Sequence, residues 1–154
     1  MIHTEATIQL GKPPREVFRF LDDEDNAPKW NSRAVEMKRT SPGEKRVGAK
    51  LHYVYRDAGR QRAVDGRVTA YEKDRKLAMN FSDPMMDISV VFELSPASGG
   101  TEVKHFIEIE PKTFLVKLMT PIIRAATKKG LQNDLQRLKA LLESRSDRDA
   151  DTQS

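Results

Sequence analysis

The sequence predicts an α+β fold: a seven-stranded, curved antiparallel sheet wrapped around a long C-terminal helix, with two short helices between strands 1 and 2. Three observations carry this. Seven stretches alternate apolar and polar residues with the period of two that marks a half-buried strand. Turn-forming segments such as SPGEK, EKDR and SPASGG separate the last six, and short connectors between consecutive strands make an antiparallel meander. A sheet with one apolar face needs cover on that side, and the only long element left to supply it is the C-terminal helix.

The first strand reads Ile2, Thr4, Ala6, Ile8 and Leu10 on one face, and GKPP ends it. PREVFRFL follows as a short helix, with Pro14 in its first turn and Val17, Phe18 and Leu21 along one side. DDEDNAPKWN is a second short helix or turn. The next inner rows are Val35 and Met37; Ala49, Leu51, Tyr53 and Tyr55; Val64, Gly66, Val68 and Ala70. Leu77, Met79 and Phe81 come next, then Met86, Ile88, Val90, Phe92 and Leu94. The last strand, TEVKHFIEIE, puts Val103, His105, Ile107 and Ile109 on one face, an ionisable imidazole in an otherwise apolar row.

From Thr120 on, Ile123, Ala126, Thr127, Gly130, Leu131, Leu135, Leu138, Leu141 and Leu142 form one stripe at helical spacing. Leu115, Leu118, Met119 and Ile122 lie on a different side of the wheel, which predicts a break near Pro121. A strongly bent sheet and one helix leave a gap between them, and that gap is a pocket.

The 154 residues suit one domain, over 1–143, with a charged and small-residue tail over 144–154 expected to be disordered. With no cysteine there are no disulfides and no thiolate metal sites. The N-terminus carries no signal-peptide pattern, and no stretch approaches the roughly 18 apolar residues of a membrane span. A soluble, cytoplasmic protein is expected, as a monomer or homodimer. The net charge is +4, and the segment from Thr113 to Glu143 alone holds six basic against two acidic residues.

The element order, with PPREVFRFLDDEDNAPKWN, DGRVTAYEKDRKLAMNF and GLQNDLQRLKALLE, resembles the START-like, birch-pollen-allergen-like superfamily called SRPBCC. Within it, the chain looks most like the bacterial polyketide cyclase/dehydrase branch. The resemblance covers about residues 1–143. It implies the helix-grip fold and an internal cavity for a hydrophobic small molecule. It implies no single activity, because members include lipid carriers, hormone and flavonoid binders, aromatase/cyclases and co-chaperone-like proteins.

Three functions follow as expectations. The first is binding or transport of a lipid-, sterol- or polyketide-like molecule. The second is a polyketide cyclase/dehydratase-type enzyme using the same cavity. The third is a protein-partner module of co-chaperone or ribosome-associated type. The expected ligand-binding wall is Tyr53, Tyr55, Val68, Met79, Phe81, Ile88, Val90, His105, Ile107, Ile123 and Gly130. His105 either orients a ligand or moves a proton, or else is a neutral core histidine bonded to the backbone. Of the two tyrosines Tyr53 is the one expected to reach the cavity, being farther from the RDAGR turn. Asp134 sits in the centre of the apolar stripe. It is a catalytic candidate beside His105, but the favoured reading places it at a salt-bridged edge with Arg137 or Lys128.

Gly130 leaves room for a ligand or for close packing. Trp30 is read as closing one end of the sheet, with a pocket-lid role as the less favoured reading. Met79, Met85, Met86 and Met119 fit either an adaptable lining or a plain core. Lys117, Arg124 and Lys128 are read as a solvated face, with transient contact to an anionic membrane surface as the sharper reading. No aromatic residues interleave with these charges, which argues against nucleic acid. The three histidines are isolated, and no metal site or cofactor is expected.

Overall fold

The structure, a computed structural model, describes residues 1–57 and 59–153, with side chains through residue 144. The described residues form seven strands: β1 (Ile2–Leu10), β2 (Ala34–Arg39), β3 (Lys50–Asp57), β4 (Arg60–Glu72), β5 (Lys76–Ser82), β6 (Met86–Ala97) and β7 (Gly100–Pro111). Helices α1 (Pro14–Asp22) and α2 (Ala27–Trp30) stand between β1 and β2, joined by a 3-10 turn over Glu24–Asn26. Helices α3 (Phe114–Leu118) and α4 (Thr120–Gln153) complete the chain. The tail expected over 144–154 lies, beyond Ser144, outside the residues described in full.

The sheet order is β1-β7-β6-β5-β4-β3-β2, all neighbours antiparallel. The six later strands form the expected meander, and β1 closes on the last of them with Ala6 opposite His105. β1 alternates strictly between buried and exposed residues, as a strand covered on one face must. That cover is α4, which packs on β1 and reaches α2, while α2 packs on edge strand β2. The arrangement is the helix-grip fold.

Buried Leu131, Leu135, Leu138 and Leu142 on α4 meet Leu10, Leu51, Leu77, Phe92 and Val103 from the sheet in one core. α1 adds Val17, Phe18, Phe20 and Leu21, with Phe18 edge-on to Tyr71 at 5.5 Å. Two local details depart from simple alternation. A register shift between Val68 and Ala70 lets Tyr71, not only the expected inner row, pack on the core. The helix break falls at Met119, which caps α3 and leaves Pro121 in the first turn of α4.

Candidate functional site: a cavity between sheet and helix

Where α4 crosses the bent sheet, a cavity of about 180 Å³ remains. Its sheet wall is apolar: Met79 and Phe81 from β5, Ile88, Val90 and Phe92 from β6, Ile107 and Ile109 from β7. These come from alternating inner positions of adjacent strands, so register alone brings them together. Its helix wall is Ala126, Thr127, Gly130, Leu131 and Asp134. Ala126 and Arg33 are exposed as well as lining, so the cavity reaches the surface.

His105 lies on this wall and is 3% exposed. Its Nδ1 is 3.1 Å from the carbonyl oxygen of Val91. Burial lowers its pKa from 6.5 to about 4, against the opposing effect of that hydrogen bond, so the ring is neutral at pH 7. A carbonyl only accepts, so Nδ1 carries the proton and donates it. Nε2 is left as a lone-pair acceptor, without a protein partner among the described residues. The ring lies flat on Phe92 at 4.2 Å and edge-on to Trp30 at 6.0 Å. The residue is thus tied to the backbone and also lines the cavity.

Both tyrosines reach the cavity, not Tyr53 alone. They stack on each other at 5.2 Å, and Tyr53 tilts against Phe81 at 5.5 Å. Burial pushes the Tyr53 phenol up to about 12, while the Arg33 charge and a hydrogen bond with Asn31 pull the other way. Asn31 and Arg33 also line the cavity, from the link between α2 and β2.

The edge placement expected for Asp134 is not what the structure shows. Asp134 is 9% exposed, and Oδ1 accepts a hydrogen bond from the Ser32 backbone N–H at 3.2 Å. Among the described residues it forms no salt bridge. Burial raises its pKa; the Ser32 hydrogen bonds and the charges of Arg137 and Arg33 oppose that. The link after α2 folds over this part of α4, which a helical wheel cannot reveal. Lys128, the other expected partner, donates to the backbone carbonyl of Glu5 instead.

Two expected wall residues are elsewhere. Val68, 1% exposed, belongs to the core cluster, and half-buried Ile123 precedes the part of α4 that crosses the cavity. Met85 and Met119 are 38% and 41% exposed and outside the lining. Several lining residues escaped sequence reasoning. Trp30, 6% exposed, lines the cavity, whereas the favoured sequence reading has it only closing the sheet. Lys45 pairs with Asp22 at 3.3 Å and with Glu24 at 3.2 Å, and Asp22 also accepts from the Tyr71 hydroxyl at 2.7 Å. Lys45 and Glu24 both line the cavity, from the β2–β3 loop and the 3-10 turn, neither of which a periodicity marks.

Among the described residues, no group of three or more His, Cys, Asp or Glu could hold a metal. No described helix is long and apolar enough to cross a membrane.

Solved structures share this architecture at low identity. The Thermus thermophilus protein TTHA0849 superposes with a TM-score of 0.78 at 12% identity, covering 94% of this chain and 99% of that one. The di-domain ARO/CYC BexL, from the BE-7585A biosynthetic pathway, gives 0.74 at 17% identity, covering 93% of this chain and 47% of that one. Ara h 8.0201 gives 0.66 at 14% identity, covering 92% and 97%. At such identities the likeness concerns the fold. No curated protein matches by sequence. The sequence model described as "Polyketide cyclase / dehydrase and lipid transport" matches residues 1–143. With the helix-grip fold and the cavity, that match places the chain in the polyketide cyclase/dehydrase and lipid transport family.

Proposed function

We propose that this protein binds and carries a hydrophobic, ring-containing small molecule in the cavity between sheet and α4. The observation that carries this reading is the composition of the wall. Apolar side chains from β5, β6 and β7 surround one neutral, buried imidazole whose spare nitrogen only accepts. Such a wall favours an apolar body bearing one hydroxyl or N–H group, which His105 Nε2 orients. The cavity of about 180 Å³ compares with the roughly 150 Å³ that holds benzene. It therefore takes a ring-sized part of a lipid-, sterol- or polyketide-like ligand, and the remainder projects past Ala126 and Arg33.

Native mass spectrometry of protein purified from cells, together with displacement of a fluorescent apolar probe, tests the reading. A copurified apolar mass and saturable probe uptake are expected. A cavity that takes up no probe overturns it.

One observation favours a second reading, a cyclase or dehydratase. Asp134 is a cavity carboxyl with a raised pKa, which suits a general acid. Against it, no hydrogen bond links Asp134, His105 and the tyrosines to one another among the described residues. Turnover of a polyketide-like substrate by wild type, lost in both Asp134→Asn and His105→Ala, would favour the enzyme over the carrier.

A further inference from the structure

Helix α3 is held to the sheet by one side chain. Val116 is 4% exposed and points inward, and the Thr113 hydroxyl caps the turn by accepting from its N–H at 3.3 Å. Most of the large apolar side chains around it face out. Phe114, Leu115 and Leu118 are 75%, 68% and 63% exposed, and Ile122 on α4 is 65% exposed. Met119 joins them from the break, and Met85 from the turn before β6, whose carbonyl accepts from the Lys112 N–H at 2.9 Å. Large apolar side chains grouped in this way mark an interaction surface.

The charge around the patch has one sign. Residues 111–133 contain five Lys or Arg and no Asp or Glu. Lys112 is already neutralised by Asp87 at 3.1 Å, and Lys128 is turned to the Glu5 carbonyl. Lys117, Arg124 and Lys129 are exposed and pair with no carboxylate among the described residues. A second copy of the chain is a poor occupant, because a two-fold interface would set these cations against themselves. Apolar side chains that insert, ringed by cations that stay in water, fit a surface that is apolar inside and anionic outside.

The geometry points to an anionic lipid bilayer as the partner of the α3–α4 corner. Phe114, Leu115, Leu118 and Ile122 enter the acyl boundary, and Lys117 and Lys129, the latter two turns after Ile122 on the same face of α4, meet the headgroups. The docked face adjoins the cavity: Ile122 and Ala126 are one turn apart on α4, and Ala126 lines the cavity. An apolar ligand would then pass between bilayer and cavity with little exposure to water. This last step rests on the proposed carrier function; the docking itself does not.

The test is co-sedimentation of the full chain with vesicles of phosphatidylcholine alone and with vesicles also containing phosphatidylglycerol. Binding to the anionic vesicles, weakened by salt, is expected. Phe114→Asp with Leu118→Asp abolishes it. Neutralising Lys117 and Lys129 together (Lys117→Gln, Lys129→Gln) lowers partitioning about 25-fold, roughly fivefold for each charge. All four side chains are exposed, so the variants keep the fold, and unchanged probe uptake by the cavity checks this. Absence of binding to either vesicle overturns the proposal, as does equal binding to both. A dimer in light scattering that Leu118→Asp dissociates also overturns it, in favour of a second copy. Failure of the probe assay with intact vesicle binding would remove the carrier reading and leave the docking site.

Discussion

His105 and Phe92 are cross-strand partners on β7 and β6, and their rings lie parallel, 4.2 Å apart with 5° between planes. A protonated imidazolium would have to shed its water in this stack, which is why burial lowers the pKa from 6.5 to about 4. Between those values the unfolded chain binds a proton that the folded chain refuses. The contribution to stability is fully present above pH 6.5 and is lost as the pH falls towards 4. Its size follows from the two pKa values, about 3 kcal/mol. Denaturant midpoints at several pH values between neutral and acid should fall steeply in wild type. His105→Phe keeps a ring on Phe92 and should flatten the slope. Parallel pH profiles for the two proteins would show that His105 is not the group concerned.

Asp134 has the opposite sign. Its folded pKa is raised because burial disfavours the carboxylate, so the group costs stability above that pKa and the cost is relieved as the pH falls. Asp134→Asn keeps an oxygen to accept from the Ser32 N–H and removes the charge. The variant should unfold at a higher temperature than wild type at pH 7, with the gap narrowing in acid. A lower melting temperature at pH 7 would mean that Arg33 and Arg137 stabilise the charge by more than burial costs.

The strand order, the break before Pro121 and most of the sheet wall were legible in the sequence because they follow from alternation and register. Ile88, Val90 and Ile107 had to share a face once the meander was drawn. What could not be read comes from links between elements. Asn31 and Arg33 reach the cavity because α2 bridges β2 and α4, a contact with no local signature. The same link buries Asp134, which the wheel places at the centre of the apolar stripe although the favoured reading moves it to an edge. Val68 looked like wall because it is on the inner face of β4, but it is packed into the core cluster.

Gly66 and Phe81 are opposed across β4 and β5, and the ring lies over the glycine. A Cβ at Gly66 would stand 2.3 Å from the Asn80 carbonyl oxygen and 2.4 Å from Phe81 Cδ1. Gly66→Ala should cost about 1–3 kcal/mol, the usual range for overpacking. It should also weaken probe uptake, since the displaced ring is part of the cavity wall. Chemical denaturation and a probe titration on the same sample read both effects. A neutral substitution would show that strand separation at this point is looser than the register implies.

Gly130 is the complementary case. It lies within α4 and on the cavity wall, and a Cβ placed there meets nothing within 4 Å. Glycine in a helix costs about 1 kcal/mol relative to alanine, so open space here has been kept at the expense of helix stability. Gly130→Ala should raise the melting temperature by about 2–4 °C, as expected for 1 kcal/mol in a chain of this size. Gly130→Leu should fold as well and occupy the space beside Ala126 and Thr127. Probe binding should then persist in the alanine variant and be lost in the leucine variant, with neither substitution touching His105. Undiminished binding by Gly130→Leu would place the ligand elsewhere on the chain and remove the helix wall from the site.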